Sequence, residues 1–386
     1  MNLDRLDLAS LRRRRGEKWG TYPADVLPAW VADMDFGQCE PIQLMLEERV
    51  ALADLGYPPE ASSARLAEVF SERARRRFDW KIDPCRVEIL TDVVQGMYVA
   101  LRTLTEPGEA AIVQTPVYPP FRFAVTDCER RLIVNELRQG GTGYEMDLDA
   151  LRRCIDPATR MLLFCNPQNP TGRAFSRMEL EALAAIVLEH DLIVCSDEIH
   201  ADLVYPDSRH IPFASISPEV AARTLTLSSA TKAFNIAGLR CAVAAFGSGE
   251  LQARFNTLPA HLRGGLGSLG LAATALAWTE AQAWLDEVVA YLDANRRFVA
   301  EFVADKLPGV VHHSPEATYL AWLDTRGLDI EPDPYQFFLD QARVALSDGR
   351  AFGAGGDGFV RLNFATSRHI LTTILKRMAA AVAQRR

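Results

Sequence analysis

Lysine is scarce in this sequence. Only five of its 42 basic residues are lysines, at positions 18, 81, 232, 306 and 376. A surplus of positive charge is absent as well, the formal net charge being −8. That balance argues against nucleic acid or an anionic membrane surface as a main partner. The seven cysteines (39, 85, 128, 154, 165, 195 and 241) include no Cys-x-x-Cys pair. They argue against a zinc site or a disulfide framework and suit a reducing cytoplasm. Cys165 and Cys195 close apolar runs, as small buried hydrophobes do. Apolar runs of membrane-spanning length are missing, and the N-terminus has no apolar signal core. These absences describe a soluble cytoplasmic protein without a metal site.

What is present is a chain of 386 residues, 48% apolar and 24% charged. That is long enough for about two domains with a substantial core. Short apolar runs recur at 87–90, 110–114, 131–134, 160–165, 192–196, 223–228 and 242–246. Helical patterns lie between most of them, as at 177–190, where Leu180, Leu183, Ile186 and Val187 share a face. Strands alternating with helices predict an α/β fold, a mostly parallel sheet sandwiched by helices. Further helices are predicted over 41–55, with Pro41 in the first turn and Gly56 as the stop, and over 62–78. A long helical region at 267–305 leads to strands near 309–312, 318–323 and 358–364, with helices near 333–345 and 367–384. The predicted division is an arm (1–40), a large domain (41–280) and a smaller α+β domain (281–386) completed by the arm. Arg12 to Arg15 read as a solvated or subunit-contacting basic run.

One stretch organises the rest: Thr224-Leu-Thr-Leu-Ser-Ser-Ala-Thr-Lys-Ala-Phe-Asn-Ile-Ala-Gly-Leu-Arg240. A β-like run breaks into small hydroxyl residues and then presents Lys232 among Ala, Phe and Ile, whereas the other four lysines have polar or charged neighbours in sequence. Desolvation lowers an ammonium's pKa and makes a lysine nucleophilic toward carbonyls; a buried stem at a strand end is the plainer alternative. Ser229, Thr231 and Arg240 put hydroxyls and a guanidinium near it, as a phosphate would need. Two other strand ends are polar. Met161–Cys165 runs into Asn166-Pro-Gln-Asn-Pro-Thr-Gly172, by default a turn. Leu192–Ser196 runs into Asp197, an N-cap or a site carboxylate, with His200, taken alone a packed histidine, three residues on. Parallel sheets bind ligands beyond the carboxyl ends of their strands, so all three should meet at one edge.

Together, Asn169, Asp197, Lys232 and Arg240 resemble, in identity and spacing, the pyridoxal-phosphate (PLP) enzymes of fold type I, the aspartate aminotransferase fold. The resemblance spans nearly the whole chain. It implies PLP attached through Lys232, Asp197 paired with the ring nitrogen and Asn169 bonded to the ring oxygen. Tyr118, in Thr115-Pro-Val-Tyr-Pro-Pro-Phe121, would stack on the ring, with His200 also at the cofactor. Ser229, Thr231, Arg240 and the backbone N–H groups of Val93 and Val94 would hold the phosphate. Tyr57 would reach the phosphate of a neighbouring subunit, implying a homodimer with shared active sites. Arg361 would clamp the substrate carboxylate, with Asn169 and Ala32 beside it.

Within that fold, five motifs are similar to the MalY/PatB type of cystathionine β-lyase. They are Trp30-Val-Ala-Asp-Met-Asp-Phe36, Thr115–Phe121, Asp197-Glu-Ile-His200, Lys232-Ala-Phe-Asn-Ile-Ala-Gly-Leu239 and Gly358-Phe-Val-Arg-Leu-Asn-Phe364. The expected activity is C–S β-elimination from an S-substituted L-cysteine, giving thiol, pyruvate and ammonia. An aminotransferase, an S-conjugate enzyme that loses CO₂ and nitrogen, and a regulatory binding protein are the alternatives. Two departures stand out. Asp92-Val-Val-Gln-Gly-Met97 replaces a usual Gly-Val-Val-Pro-Ala-Leu, setting a carboxylate beside the phosphate position unless it points away or caps the helix. Thr231 replaces a usual serine.

Overall fold

The computed structural model describes residues 3–141, 143–331 and 333–385. The seven apolar runs form one sheet: β1 (Val87–Leu90), β2 (Ala110–Thr115), β3 (Arg131–Glu136), β4 (Thr159–Cys165), β5 (Ile193–Asp197), β6 (Thr224–Ser228) and β7 (Ala242–Phe246). Their order is β1-β7-β6-β5-β4-β2-β3. The run from β6 to β3 is parallel, and β7 is antiparallel to both neighbours. Both faces are covered, which is why β2 and β7 are buried at every position and show no polar alternation. After helices α1 (Glu40–Ala51) and α2 (Ala61–Phe78), helix α3 (Val93–Leu104) packs with Ala111, Val113, Leu163 and Leu227, whereas Ile112, Leu162 and Val194 pack with α4 (Arg177–Glu189). Ser176 and Glu179 start α4 with a reciprocal capping box. At Gly96 a Cβ would stand 2.7 Å from Leu227 Cδ2. The missing side chain lets α3 lie close on β6 and brings its N-terminus toward the lysine stretch.

A second, antiparallel sheet contains β8 (Val311–His312), β9 (Leu320–Asp324), β10 (Ser347–Asp348) and β11 (Phe359–Asn363), in the order β8-β9-β11-β10. It shares a core with α5 (Ser268–Thr279), α6 (Gln282–Lys306), α7 (Arg368–Arg385) and the N-terminal arm. The arm's Leu27–Pro28 pairs in parallel with Val344–Ala345. Here the structure departs from the helix predicted at 333–345. Pro334–Phe337 is one turn, Phe338–Ala342 widens into a π turn, and Arg343, at φ 52°, ends it. The arm wins the competition for Val344 and Ala345, and Arg343 pairs with Asp25 of that arm at 2.8 Å. The helix predicted at 41–55 spans Glu40–Ala51 and stops before Gly56, because Ala53 is left-handed at φ 53°. Among the described residues no helix is long and apolar enough to cross a membrane. All seven cysteines are free, and five are buried.

Candidate active site

The three polar strand ends do meet. Cα register places Cys165 beside Asp197 and Asp197 beside Leu227, so the segments after β4, β5 and β6 leave the sheet at one edge. Tyr118 N–H donates to the Asn169 carbonyl at 3.1 Å, joining the loop after β2 to the loop after β4. Lys232, half-buried, donates from Nζ to the Ala32 carbonyl at 2.9 Å, and the Tyr319 hydroxyl donates to the same oxygen at 2.8 Å. Burial lowers the Lys232 pKa, Asp33 opposes that and Arg361 adds to it. Asp197 accepts from the Ile199 N–H at 3.0 Å in an Asx turn, and no helix follows for it to cap. Its burial pushes the carboxyl up to about 7, although that N–H and the Lys232 charge pull down. His200, 2% exposed, is pushed down to about 3 by burial, with the Lys232 and Arg361 charges adding, so it is neutral at pH 7. Its Nδ1 is buried without a hydrogen-bond partner.

Arg361 enters from β11. It donates to Asn169 Oδ1 at 2.9 Å, to the Trp30 carbonyl at 2.9 Å and to Ser347 Oγ at 3.0 Å. Burial lowers its pKa only to about 10, so it remains a cation, and its Nε has no partner. The arm loop around Ala32 is held from both sheets. Asn363 Nδ2 donates to the carbonyls of Val31 and Asp33, each at 2.7 Å. Asn235, left-handed at φ 56°, accepts from the Met34 N–H at 3.0 Å and donates to the Phe36 carbonyl at 2.9 Å. The buried Lys18 ammonium lies 3.0 Å from Asp35 and donates to the Asp33 carbonyl at 3.0 Å. Every one of these bonds fixes where Ala32 sits relative to Lys232.

At the N-terminus of α3, Asp92 caps the helix by accepting from the Gln95 N–H at 2.8 Å. Its other oxygen accepts from Arg240, a residue held at φ 47°. Ser229 donates to the Cys241 carbonyl at 2.6 Å and is hydrogen-bonded to the Thr231 hydroxyl at 2.8 Å. The N–H groups of Val93 and Val94 lie at the open end of the helix. Tyr118, 38% exposed, lies within reach of the Arg361 and Asp197 charges, whereas Tyr57 is fully exposed and apart from the site. Arg263 is tied within its own chain, to the Asn256 side chain at 2.6 Å and the Leu258 carbonyl at 3.1 Å.

Residues 46–378 match the model of aminotransferase class I and II. The chain belongs to that family. Full-length relatives agree with the match. The cystathionine beta-lyase of Corynebacterium glutamicum is 36% identical, with 97% of this chain and 99% of that protein covered. Among solved structures, OvoB is 40% identical with a TM-score of 0.92, covering 99% of each chain. The PLP-bound C-S lyase from Staphylococcus hominis is 30% identical at a TM-score of 0.92, covering 100% of this chain and 99% of that one.

Within this member of the class I and II aminotransferase family, sequence reasoning missed the second tier of the site. Tyr319 lies at an apolar strand start, and nothing in its neighbours marks it. Lys18 has the polar neighbours the sequence shows, yet it is 4% exposed and ion-paired. Asn235 carried a signal, since asparagine is enriched where φ is positive and here stands between the lysine and a glycine.

Proposed function

We propose that this enzyme is a PLP-dependent lyase that breaks the Cβ–S bond of an S-substituted L-cysteine, such as cystathionine. The observation that carries the reading is the Lys232, Asp197 and Arg361 constellation, with Asp197 and Arg361 buried and Lys232 half-buried, each shifted by burial and gathered at one edge of the sheet. The residues fit the cofactor. Asp197 has no cation within hydrogen-bond reach among the described residues, and a protonated ring nitrogen would supply one. His200 Nδ1 lacks a partner, and the Val93 and Val94 N–H groups face outward at a helix start, as a phosphate requires.

When bound, PLP supplies the electron sink for the pair released at Cα. Lys232 would hold the cofactor through its amine. Asp197 would keep the ring nitrogen protonated, since a carboxylate beside a cation contributes roughly 4 kcal/mol at about 4 Å and an effective dielectric near 20. Asn169, His200 and Tyr118 would orient the ring. Ser229, Thr231, Arg240 and the helix N–H groups would hold the phosphate. Arg361, beside Asn169 and the Ala32 loop, fixes the substrate carboxylate. The freed Lys232 amine, kept neutral more readily by burial, then takes the α-proton. The thiolate leaves Cβ, and the released enamine hydrolyses to pyruvate and ammonia.

The homodimer is part of this proposal. Leu44, Val50, Leu52, Leu55 and Tyr57 are all exposed in the isolated chain, and a second copy would cover them while bringing Tyr57 to the other site's phosphate. Seven free thiols support the cytoplasm as its compartment. The deciding assay follows thiol, pyruvate, ammonia and CO₂ together from L-cystathionine and a bulkier S-alkyl cysteine. Equal thiol, pyruvate and ammonia without keto acid is the expected result. Turnover only with added keto acid, or CO₂ release with sulfur still bound to carbon, would overturn it.

A further inference from the structure

We propose that Asp92 sets how tightly this chain holds its cofactor, by competing with the cofactor phosphate for Arg240. The inference rests on the PLP reading above. The two carboxylate oxygens of Asp92 have separate tasks: Oδ1 caps α3 through the Gln95 N–H at 2.8 Å, and Oδ2 takes the Arg240 guanidinium. That side chain is otherwise open, 63% exposed, so Asp92 is what keeps it over the end of the helix. The same helix end offers the Val93 and Val94 N–H groups to the phosphate. One guanidinium therefore serves two anions. Its forked donors can bond both at once, but the carboxylate and the phosphate then repel each other across it. The loop 264–265 is seated on this corner, with Thr91 Oγ1 donating to the Gly265 carbonyl at 3.3 Å. At Gly264 (φ 98°) a Cβ would lie 2.3 Å from the Thr91 and Gln95 side-chain atoms, so the corner has little room to move away from the added charge.

Asparagine caps a helix as well as aspartate does, so Asp92→Asn removes the charge and leaves α3 capped. Like charges about 6 Å apart predict a change of about three- to hundredfold in the dissociation constant between bulk-water and protein-surface screening. The test titrates cofactor-stripped wild type and D92N with PLP and, separately, with pyridoxal, which lacks the phosphate, following visible absorbance. D92N is expected to bind PLP about tenfold more tightly, with pyridoxal unchanged and the gap narrowing as salt is raised. Asp92→Ser, a second uncharged cap, should reproduce the gain. An unchanged or weaker PLP affinity in both variants overturns the inference, as does an equal shift for PLP and pyridoxal. A wild type that takes up no PLP at all overturns the cofactor reading with it; a normal wild type beside an unaltered D92N sinks only the role of Asp92.

Discussion

Arg361 spends its fork on three acceptors, Asn169, Trp30 and Ser347, before any substrate arrives. A lysine carries the charge but not the planar spacing of those donors. Losing two charge-assisted bonds at about 1.5 kcal/mol each predicts that Arg361→Lys lowers kcat/KM about a hundredfold. Steady-state kinetics on an S-alkyl cysteine would show it, with cofactor absorbance unchanged. Asp197 gives a pH signature. Its folded carboxyl titrates near 7 against an ordinary 3.8, so the folded state binds the proton more tightly. That contribution is fully present below pH 4 and is lost as pH rises through 7, at about 1.4 kcal/mol per unit of separation. In cofactor-free protein, Asp197→Asn should therefore melt progressively higher than wild type between about pH 4 and pH 7 and hold a constant gap above that. A gap that does not change between about pH 4 and pH 7 contradicts this. Asp197, Asn169 and Lys232 were legible because strand ends advertise polar residues after apolar runs. Tyr319 was not, since its partner is a backbone carbonyl 287 residues away, and Lys18 was not, since its polar sequence neighbours hide that the arm folds it onto Asp35 and the Asp33 carbonyl.

The helix α5 passes so near the chain before Arg240 that a Cβ at Gly270 would stand 2.3 Å from the Leu239 carbonyl oxygen. Alanine gains helix propensity of about 1 kcal/mol over glycine. A backbone clash at that distance costs more, about 1–3 kcal/mol, and has no flexible side chain to absorb it. Gly270→Ala should accordingly lower the melting temperature and also weaken PLP, because Leu239 is the residue before Arg240. Thermal denaturation and PLP titration together check both. At this scale the seven central strands were readable from apolar runs alone, since a sheet covered on both faces has no other pattern to show. The region 333–345 was not, because its helical periodicity lost to pairing with Leu27–Pro28, a partner more than 300 residues away.

In the whole molecule, the proposed dimer and the site stand or fall together. Leu52, 69% exposed, sits in the stripe that ends at Tyr57. Leu52→Asp should shift the protein toward monomers in sedimentation velocity and lower PLP occupancy in step. Monomers with full occupancy would separate assembly from the cofactor. The loop around Ala32 has a consequence of another kind, in time. Trp30 waits for Arg361, 331 positions later in the chain. At a synthesis rate of about 5–20 residues per second, that interval is roughly 15–65 s. A nascent chain can complete the Lys232 strand long before it owns the arginine that orders the Ala32 loop. Translation therefore finishes the amine end of the site first and the carboxylate end last, and no ribosome-bound fragment short of β11 holds a closed active site.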